Sequence, residues 1–435
     1  MKLDFKNISI YLFAIAPVAA ILCINIIDTG YYNLMSALFW FAFMFIVFDS
    51  VTKKRNLNFP IYLRYLLLFA IYTIISDFIL AEKSLTVKYL YSNYILSGFI
   101  AAFVIENMKF TYPFISKITL LNIIMISFAF IVIIYQELID DTFLVNQNAT
   151  DTLSAMIKVQ AYERRLPSIY SWTSLIDQNF GFIVIITCII SERILRHKKT
   201  FITLLFIIIA ISFAFLTRNR WIMVNSFLII LMFFVQKGIN IKNIIMYGLA
   251  SVAIIAIGIQ TLDFVHVPVK EIINNRILEK NEGGLGEGSA GTRIFAFTVF
   301  AKLFPDNPVF GKGELHAFEG TSKDYKLVNE IGFSSSQIHV GYLSLLYYYG
   351  ILGALPFVFF LFSLLRKLRI ESRQSGFWGG YFSFFGFLLA NLTLVNFPIF
   401  YAGLILSLVI HKYYIDRYMV LRNEYNKKGE QLLTL

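Results

Sequence analysis

The sequence predicts an all-α integral membrane protein of about twelve transmembrane helices, with one long external loop between the ninth helix and the tenth. Apolar stretches of spanning length follow one another through most of the 435 residues. Hydrophobic residues make up 58% of the chain and charged residues only 15%, whereas soluble chains carry charge at about a quarter of their positions. A polar insertion at 263–337 interrupts this pattern and provides the loop.

Runs of roughly 17 to 25 apolar residues define the predicted helices. In chain order they are 8–27, 31–48, 60–80, 88–105, 114–135, 174–191, 200–216, 221–236, 243–262, 338–365, 377–396 and 398–415. The seventh and eighth are short, and the tenth is long enough to tilt or to project beyond the bilayer. Lys2 and Lys6 precede the first run as they would in a signal peptide. Because no small-residue cleavage site follows, we interpret this run as an uncleaved first helix.

The distribution of lysine and arginine predicts that both termini face the cytoplasm. Basic blocks lie at Lys53–Arg55, Arg193–Lys199 and Arg366–Arg369. Counting the predicted spans from the N-terminus places all three blocks on the same side of the membrane as the N-terminus. The long loop then faces outward. Since the basic residues lie at helix ends rather than on one face, the net charge of +11 does not indicate nucleic-acid binding.

The polar insertion divides the chain into three predicted parts. Nine helices occupy 1–262, the external loop occupies 263–337, and the last three helices with a cytoplasmic tail occupy 338–435. A loop this long in a membrane protein usually has a function, so we expect the chemistry there. Cys23 and Cys188 lie inside apolar runs, which argues against a disulfide or a zinc site. External carboxylates do not cluster with metal-ligand spacing, and we therefore expect no metal and no cofactor.

Two arginine-containing segments are candidates for binding an anion. The turn TRNRW joins the seventh and eighth helices and places Arg218 and Arg220 outside, where the positive-inside rule disfavours them. Arginine suits bidentate phosphate binding, although a solvated turn whose arginines reach lipid phosphates is an equally simple explanation. Arg293 opens the apolar segment GTRIFAF after the flexible glycine run Gly283–Gly291, and a lone arginine in a loop is more often just solvated.

The end of the loop contains a turn signal and a histidine. The segment DNPVFGKG has a proline and two glycines that predict a tight, specific turn, which is a structural signal more than a chemical one. His339 lies where the loop meets the tenth helix. A histidine at a membrane surface is more often an interfacial polar residue, but its side chain can accept a proton near neutral pH.

These four segments, in this order, resemble the motifs of the O-antigen ligase/polymerase superfamily. The T-x-x-R motif is similar to Thr217–Arg220, the G-x-R motif to Gly291–Arg293, and the NP-x-x-G-x-G turn to Asn307–Gly313. The histidine followed by G-x-x-G is similar to His339 with Gly350 and Gly353. Many relatives have asparagine directly after the histidine, where this chain has Val340.

The resemblance implies glycan transfer from undecaprenyl pyrophosphate at the external face of a bacterial inner membrane. Arg220 and Arg293, with Arg218, would bind and neutralise the pyrophosphate, and His339 would orient or deprotonate the attacking sugar hydroxyl. The implied partners are a lipid-linked glycan donor and acceptor, membrane lipid, a chain-length regulator and a flippase. We favour a polysaccharide polymerase because that branch of the superfamily is the more numerous, with an O-antigen ligase as the alternative.

Two other classes of membrane protein fit the sequence less well. A lipid-linked oligosaccharide flippase also suits twelve spans, but coupled transporters carry ionisable residues or broken helices near the middle of the bilayer. In this sequence the charges cluster at span ends. A glycosyltransferase with an acidic catalytic residue in its first external loop would have to rely on Asp28, in a loop of only a few residues.

Overall fold

The computed structural model describes residues 8–12, 31–80, 89–90, 93–141, 288–313, 340–392 and 402–433, with isolated positions at 86, 143–144, 166, 168 and 338 and at ten places between 205 and 235. Every regular element in these residues is a helix. The helices are α1 (Tyr31–Thr52), α2 (Ile61–Ile79), α3 (Tyr94–Asn107), α4 (Tyr112–Leu138), α5 (Gly288–Leu303), a 3₁₀ turn (Phe304–Asp306), α6 (Gly341–Ser375), α7 (Gly379–Ala390) and α8 (Ala402–Leu433).

The helices coincide with seven of the predicted spans, the second to fifth and the tenth to twelfth. Among the described residues, α2, α4 and α6 are long and apolar enough to cross a membrane. The first span is described only at 8–12, and the sixth to ninth lie almost wholly outside the described residues. The fold class is therefore confirmed as helical and membrane-type, while the number of twelve helices stays a prediction.

Two elements differ from the sequence interpretation. Gly288–Gly291, the end of the glycine run that we expected to be flexible, form the first turn of α5. The last helix continues to Leu433, well beyond the predicted end of the twelfth span at 415. The prediction was based on hydrophobicity. In both segments the hydrophobicity falls although the helical hydrogen bonding continues, so the prediction missed the helix.

The helices pack through aromatic contacts and pairs of small polar residues. The most extensive pair is α2 with α6, where the rings of Phe69 and Phe357 lie 4.6 Å apart. In the contact between α1 and α3, the hydroxyls of Ser36 and Ser97 are 2.7 Å apart. Inter-helix serine pairs of this kind contribute about 0.6 kcal/mol each in a bilayer. Close packing of ring and backbone accordingly holds the bundle together more than hydrogen bonding does.

Helix α6 is broken near its start. Gly350 has φ 61° and ψ −173°, so the helix consists of a short part before this residue and a long part after it. We call the end of the bundle at which α6 begins the loop end. A broken helix leaves backbone groups without their usual partners, which is costly in a lipid environment unless other protein groups replace them.

The turn at Asn307–Gly313 provides these replacements. The N–H groups of Ile351 and Leu352 donate to the carbonyls of Pro308 and Val309, at 2.9 Å and 3.0 Å. The carbonyls of Tyr347 and Tyr348, which would accept from those N–H groups in an unbroken helix, instead accept from residues 312 and 313 of the turn, at 3.2 Å and 2.8 Å. Two donors and two acceptors are thus exchanged between helix and turn, and we call this arrangement the backbone exchange.

Glycine is required where the two backbones meet. Gly311 has φ +77°, and a Cβ atom there would overlap the carbonyl of Tyr348. A Cβ atom at Gly350 would overlap the carbonyl of Val309 and would lie 2.6 Å from the Gly311 nitrogen. The predicted turn is therefore present, and the contact with α6 is the reason why residue 311 of the turn must be glycine.

Tyr72 of α2 joins the same arrangement. Its hydroxyl donates to the carbonyl of Phe310 at 2.8 Å, and its ring occupies the space that a Cβ atom at Gly353 would need. The two glycines of the G-x-x-G motif therefore allow two close contacts. Gly350 lets the turn pack against α6, and Gly353 lets Tyr72 of α2 pack against α6.

Gly350→Ala should destabilise the protein far more than Gly376→Ala. Gly376 is in the left-handed helical region (φ +74°, ψ 0°) with nothing within 4 Å of an added Cβ atom, so it reports the strain of that region alone, about 1–2 kcal/mol. At Gly350 the ψ of −173° is one that essentially only glycine adopts, and the backbone exchange is lost as well, so we expect about 3 kcal/mol or more in total. Thermal unfolding of the detergent-solubilised variants measures the difference. Equal shifts in midpoint for the two variants would show that the contact with the turn contributes nothing.

The predicted orientation can be tested at exposed sites on the two ends of the bundle. Asp141, after α4, and Gln374, near the end of α6, are both exposed, whereas Ser372 is fully buried and unsuitable as a probe. In a background lacking Cys23 and Cys188, we expect Asp141→Cys to react with an impermeant maleimide added to whole cells, and Gln374→Cys to react only after lysis. Reaction of both in whole cells would contradict the predicted topology.

Candidate functional site

A small apolar cluster brings parts of three motifs together at the loop end. Its buried members are Ala296, Val299, Leu303, Ile338, Val340 and Tyr347, and we call it the loop-end cluster. The first three belong to α5, which carries the G-x-R motif, and Ile338 and Val340 flank His339. Tyr347 belongs to α6 and contacts the turn through the backbone exchange. Three sequence segments that were only ordered along the chain are therefore neighbours in space.

The segment around the predicted catalytic histidine is held by backbone contacts. The N–H of Val340 donates to the carbonyl of Ile338 at 2.8 Å. The N–H of Gly341 donates to the carbonyl of Asn391, at the end of α7, at 3.0 Å, and the hydroxyl of Tyr342 donates to the carbonyl of Leu388 at 2.9 Å. His339 itself lies outside the described residues, but both of its neighbours are almost fully buried. The described residues on both sides of this position are thus held by hydrogen bonds.

The three predicted arginines differ in what the structure describes. Arg293 lies in α5, three residues before Ala296, which is fully buried in the loop-end cluster. Its side chain is outside the described part of the structure. Arg218 and Arg220 are outside the described residues entirely. The structure accordingly brings the helix of Arg293 to the segment of His339, and the placement of the other two arginines stays a prediction.

A lysine and an aspartate that sequence reasoning passed over belong to the same region. Lys312 lies between the two glycines of the turn, and its side chain is only 13% exposed. Its ammonium nitrogen is 3.5 Å from a carboxylate oxygen of Asp306 and 5.6 Å from the ring centroid of Tyr347. The sequence shows this lysine between two glycines, in G-K-G. The segment was interpreted only as a turn, because its glycines were enough to explain it.

One known protein family matches the region of the chain that contains the loop end. Residues 203–358 match the family described as O-antigen ligase. The match contains all four motifs, from Thr217 to Gly353, and it supports the superfamily that the motifs predicted. No curated protein matches the chain significantly.

A second polar site lies at the end of the bundle opposite to the loop end. Four buried or half-buried ionisable residues from α3, α6 and α8 meet there: Glu106, Lys367, Glu371 and His411. Lys367 forms an ion pair with Glu106 and lies 3.7 Å from Glu371, whose other oxygen is 3.2 Å from His411. The hydroxyl of Tyr62 donates to Glu106 at 2.7 Å. We call this set the opposite-end network.

The opposite-end network has the properties of a structural tie. Each of its carboxylates has a basic partner, so the cost of burying the charge is offset within the network. It borders a cavity of about 550 Å³ lined by both signs of charge, including Arg55, Lys109 and Asp416. Among the described residues no group of three or more His, Cys, Asp or Glu side chains could hold a metal ion.

Proposed function

We propose that the protein is a polysaccharide polymerase that joins oligosaccharide repeat units linked to undecaprenyl pyrophosphate. The family match indicates a function of the O-antigen ligase or polymerase type, which is glycosyl transfer in O-antigen assembly. The motif resemblance supports this type of reaction, because the helix that carries the G-x-R motif and the segment of His339 share the loop-end cluster. We choose the polymerase over the ligase because that branch of the superfamily is the more numerous. We place this reaction at the external face of the inner membrane, with both termini in the cytoplasm.

The proposed reaction is a displacement at the sugar carbon that carries the pyrophosphate. A hydroxyl oxygen of the acceptor glycan bonds to this carbon while the bond from the carbon to the phosphate oxygen breaks. The hydroxyl proton passes to His339 as general base, and undecaprenyl pyrophosphate leaves with the electron pair. Negative charge grows on the leaving group, so cationic side chains that bind it lower the barrier by several kcal/mol. We assign this role to Arg220 and Arg293, with Arg218 as a further contact.

The choice between polymerase and ligase depends on the acceptor. A polymerase uses a second lipid-linked repeat unit, whereas a ligase uses lipid A core or a protein. The described helices other than α5 pack around one apolar core, and either acceptor is compatible with a reaction at its loop end. The flippase alternative loses support because the broken helix α6, which transporters use for substrate, here has its freed backbone groups filled by the protein's own turn.

Purified protein in nanodiscs should decide the acceptor. Supplied only with an undecaprenyl-pyrophosphate-linked repeat unit, a polymerase should produce a ladder of integer multiples of the repeat on the carrier lipid. Gel electrophoresis of fluorescently labelled glycan detects the ladder. If the donor stays unchanged until a lipid A core or protein acceptor is added, the protein is a ligase. If no new glycosidic bond forms with any of these acceptors, both assignments are contradicted.

His339→Ala should reduce turnover in that assay by about 10²- to 10⁴-fold, because a general base is removed. His316→Ala is the matched control, since His316 also lies in the predicted external loop but outside the motifs, and we expect nearly normal turnover. His339→Gln separates two roles: it retains hydrogen bonding without basicity, and it should be as inactive as the alanine variant. Substantial activity in His339→Gln would assign the residue to acceptor binding, and normal activity in His339→Ala would remove it from the site.

A further inference from the structure

We propose that the tip of the turn, Val309 and Phe310, lies in the hydrocarbon layer of the membrane and contacts the acyl chains of the lipid. The end of the long loop then returns into the bilayer beside α6 instead of lying in water above it. This inference concerns the membrane as a partner of the turn, and it does not depend on the proposed reaction.

The tip of the turn is apolar and exposed. Val309 is 49% exposed and Phe310 is 58% exposed. Turns that face water usually carry polar residues at such positions, because apolar side chains in water have a cost. On either side of the tip, Asp306 and Lys312 approach each other at 3.5 Å. The turn therefore has a charged base and an apolar tip.

The carbonyl groups of the tip and of the two residues before it all accept hydrogen bonds from the protein. The carbonyls of Asn307, Pro308, Val309 and Phe310 accept, in this order, from the N–H groups of Gly311, Ile351 and Leu352 and from the hydroxyl of Tyr72. Water can satisfy the carbonyls of an exposed turn, whereas lipid cannot, so in lipid each carbonyl needs a protein partner. These four consecutive carbonyls meet that requirement.

The position of the turn along α6 corresponds to a depth inside the membrane. The turn meets α6 at Gly350, and the basic block that begins with the exposed Arg366 marks the far boundary of the apolar part of this helix. At 1.5 Å per residue, Gly350 and Arg366 are separated by about 24 Å along the helix. The hydrocarbon layer is about 30 Å thick, so Gly350 lies about 6 Å inside it, and a tilt of the helix increases this depth.

The tip continues a surface that already faces lipid. Among the described helices, α2 and α6 are both long and apolar enough to cross a membrane. Ile351 and Leu352 of α6, which bond to the turn through their N–H groups, are 54% and 48% exposed. Ile75 of α2, one helical turn from Tyr72, is 50% exposed. Because these apolar neighbours face the acyl chains, the same chains are the occupant that fits the exposed tip.

Spin labels on single cysteines test the depth of the tip in the full-length protein, lacking Cys23 and Cys188, in lipid vesicles. Electron paramagnetic resonance measures collision of each label with oxygen, which dissolves in hydrocarbon, and with a nickel chelate, which stays in water on both sides of the membrane. Phe310→Cys should collide with oxygen several-fold more than Asp141→Cys, an exposed residue after α4, and several-fold less with the chelate.

Two further variants make the comparison specific. Phe362 of α6 is 67% exposed and lies about 6 Å from the opposite boundary by the same count, so Phe362→Cys is a lipid-facing control of matched depth. Val309→Cys reports the tip independently of Phe310 and should agree with it. Unfolding midpoints close to that of the parent protein identify the variants that are folded.

Two results overturn the inference. If the labels at Val309 and Phe310 collide with the chelate as often as the label at Asp141 does, the tip faces water. If they collide weakly with both reagents, the tip is covered by protein rather than by lipid. Neither result involves glycan transfer, so the failure of this inference and the failure of the proposed function are distinguishable.

Discussion

The backbone exchange at Gly350 is the constraint on which the loop end depends. A break in an apolar helix exposes donors and acceptors that lipid cannot satisfy, and the turn at Asn307–Gly313 supplies two of each. The converse also holds in part, because the N–H groups of Lys312 and Gly313 donate to the carbonyls that the break releases. These hydrogen bonds fasten the turn to a defined level of α6. The position of the turn also limits where the segments directly before and after it can lie.

This constraint changes the meaning of the glycine motifs. In the sequence, the NP-x-x-G-x-G turn and the G-x-x-G of the tenth helix are separate short patterns. In the structure Gly311 and Gly350 are contact partners, and the lack of a side chain at each one lets the other's backbone approach. Their role is therefore to let the turn and α6 approach each other closely. The lysine between the turn glycines is rigid for the same reason.

The sequence could predict the helices, the turn and the candidate motifs, because these depend on local hydrophobicity and on the conformational limits of proline and glycine. It could not predict the break at Gly350, since a glycine inside an apolar run is compatible with a continuous helix. The position of Lys312 near the ring of Tyr347 could not be predicted either, because the two residues are far apart in the chain. Arg218, Arg220 and His339 remain predictions from motif and topology.

The burial of the charged residues in the opposite-end network could not be predicted from the sequence either. Glu106, Lys367 and Glu371 lie near the ends of apolar runs, where a sequence pattern indicates solvated side chains, yet Glu106 is only 8% exposed. Their charges are matched by partners on other helices, so they tie α3, α6 and α8 together. The loop end is held differently, through backbone hydrogen bonds between the turn and α6. Side-chain charge therefore ties the helices at one end of the bundle, and backbone contact ties them at the other.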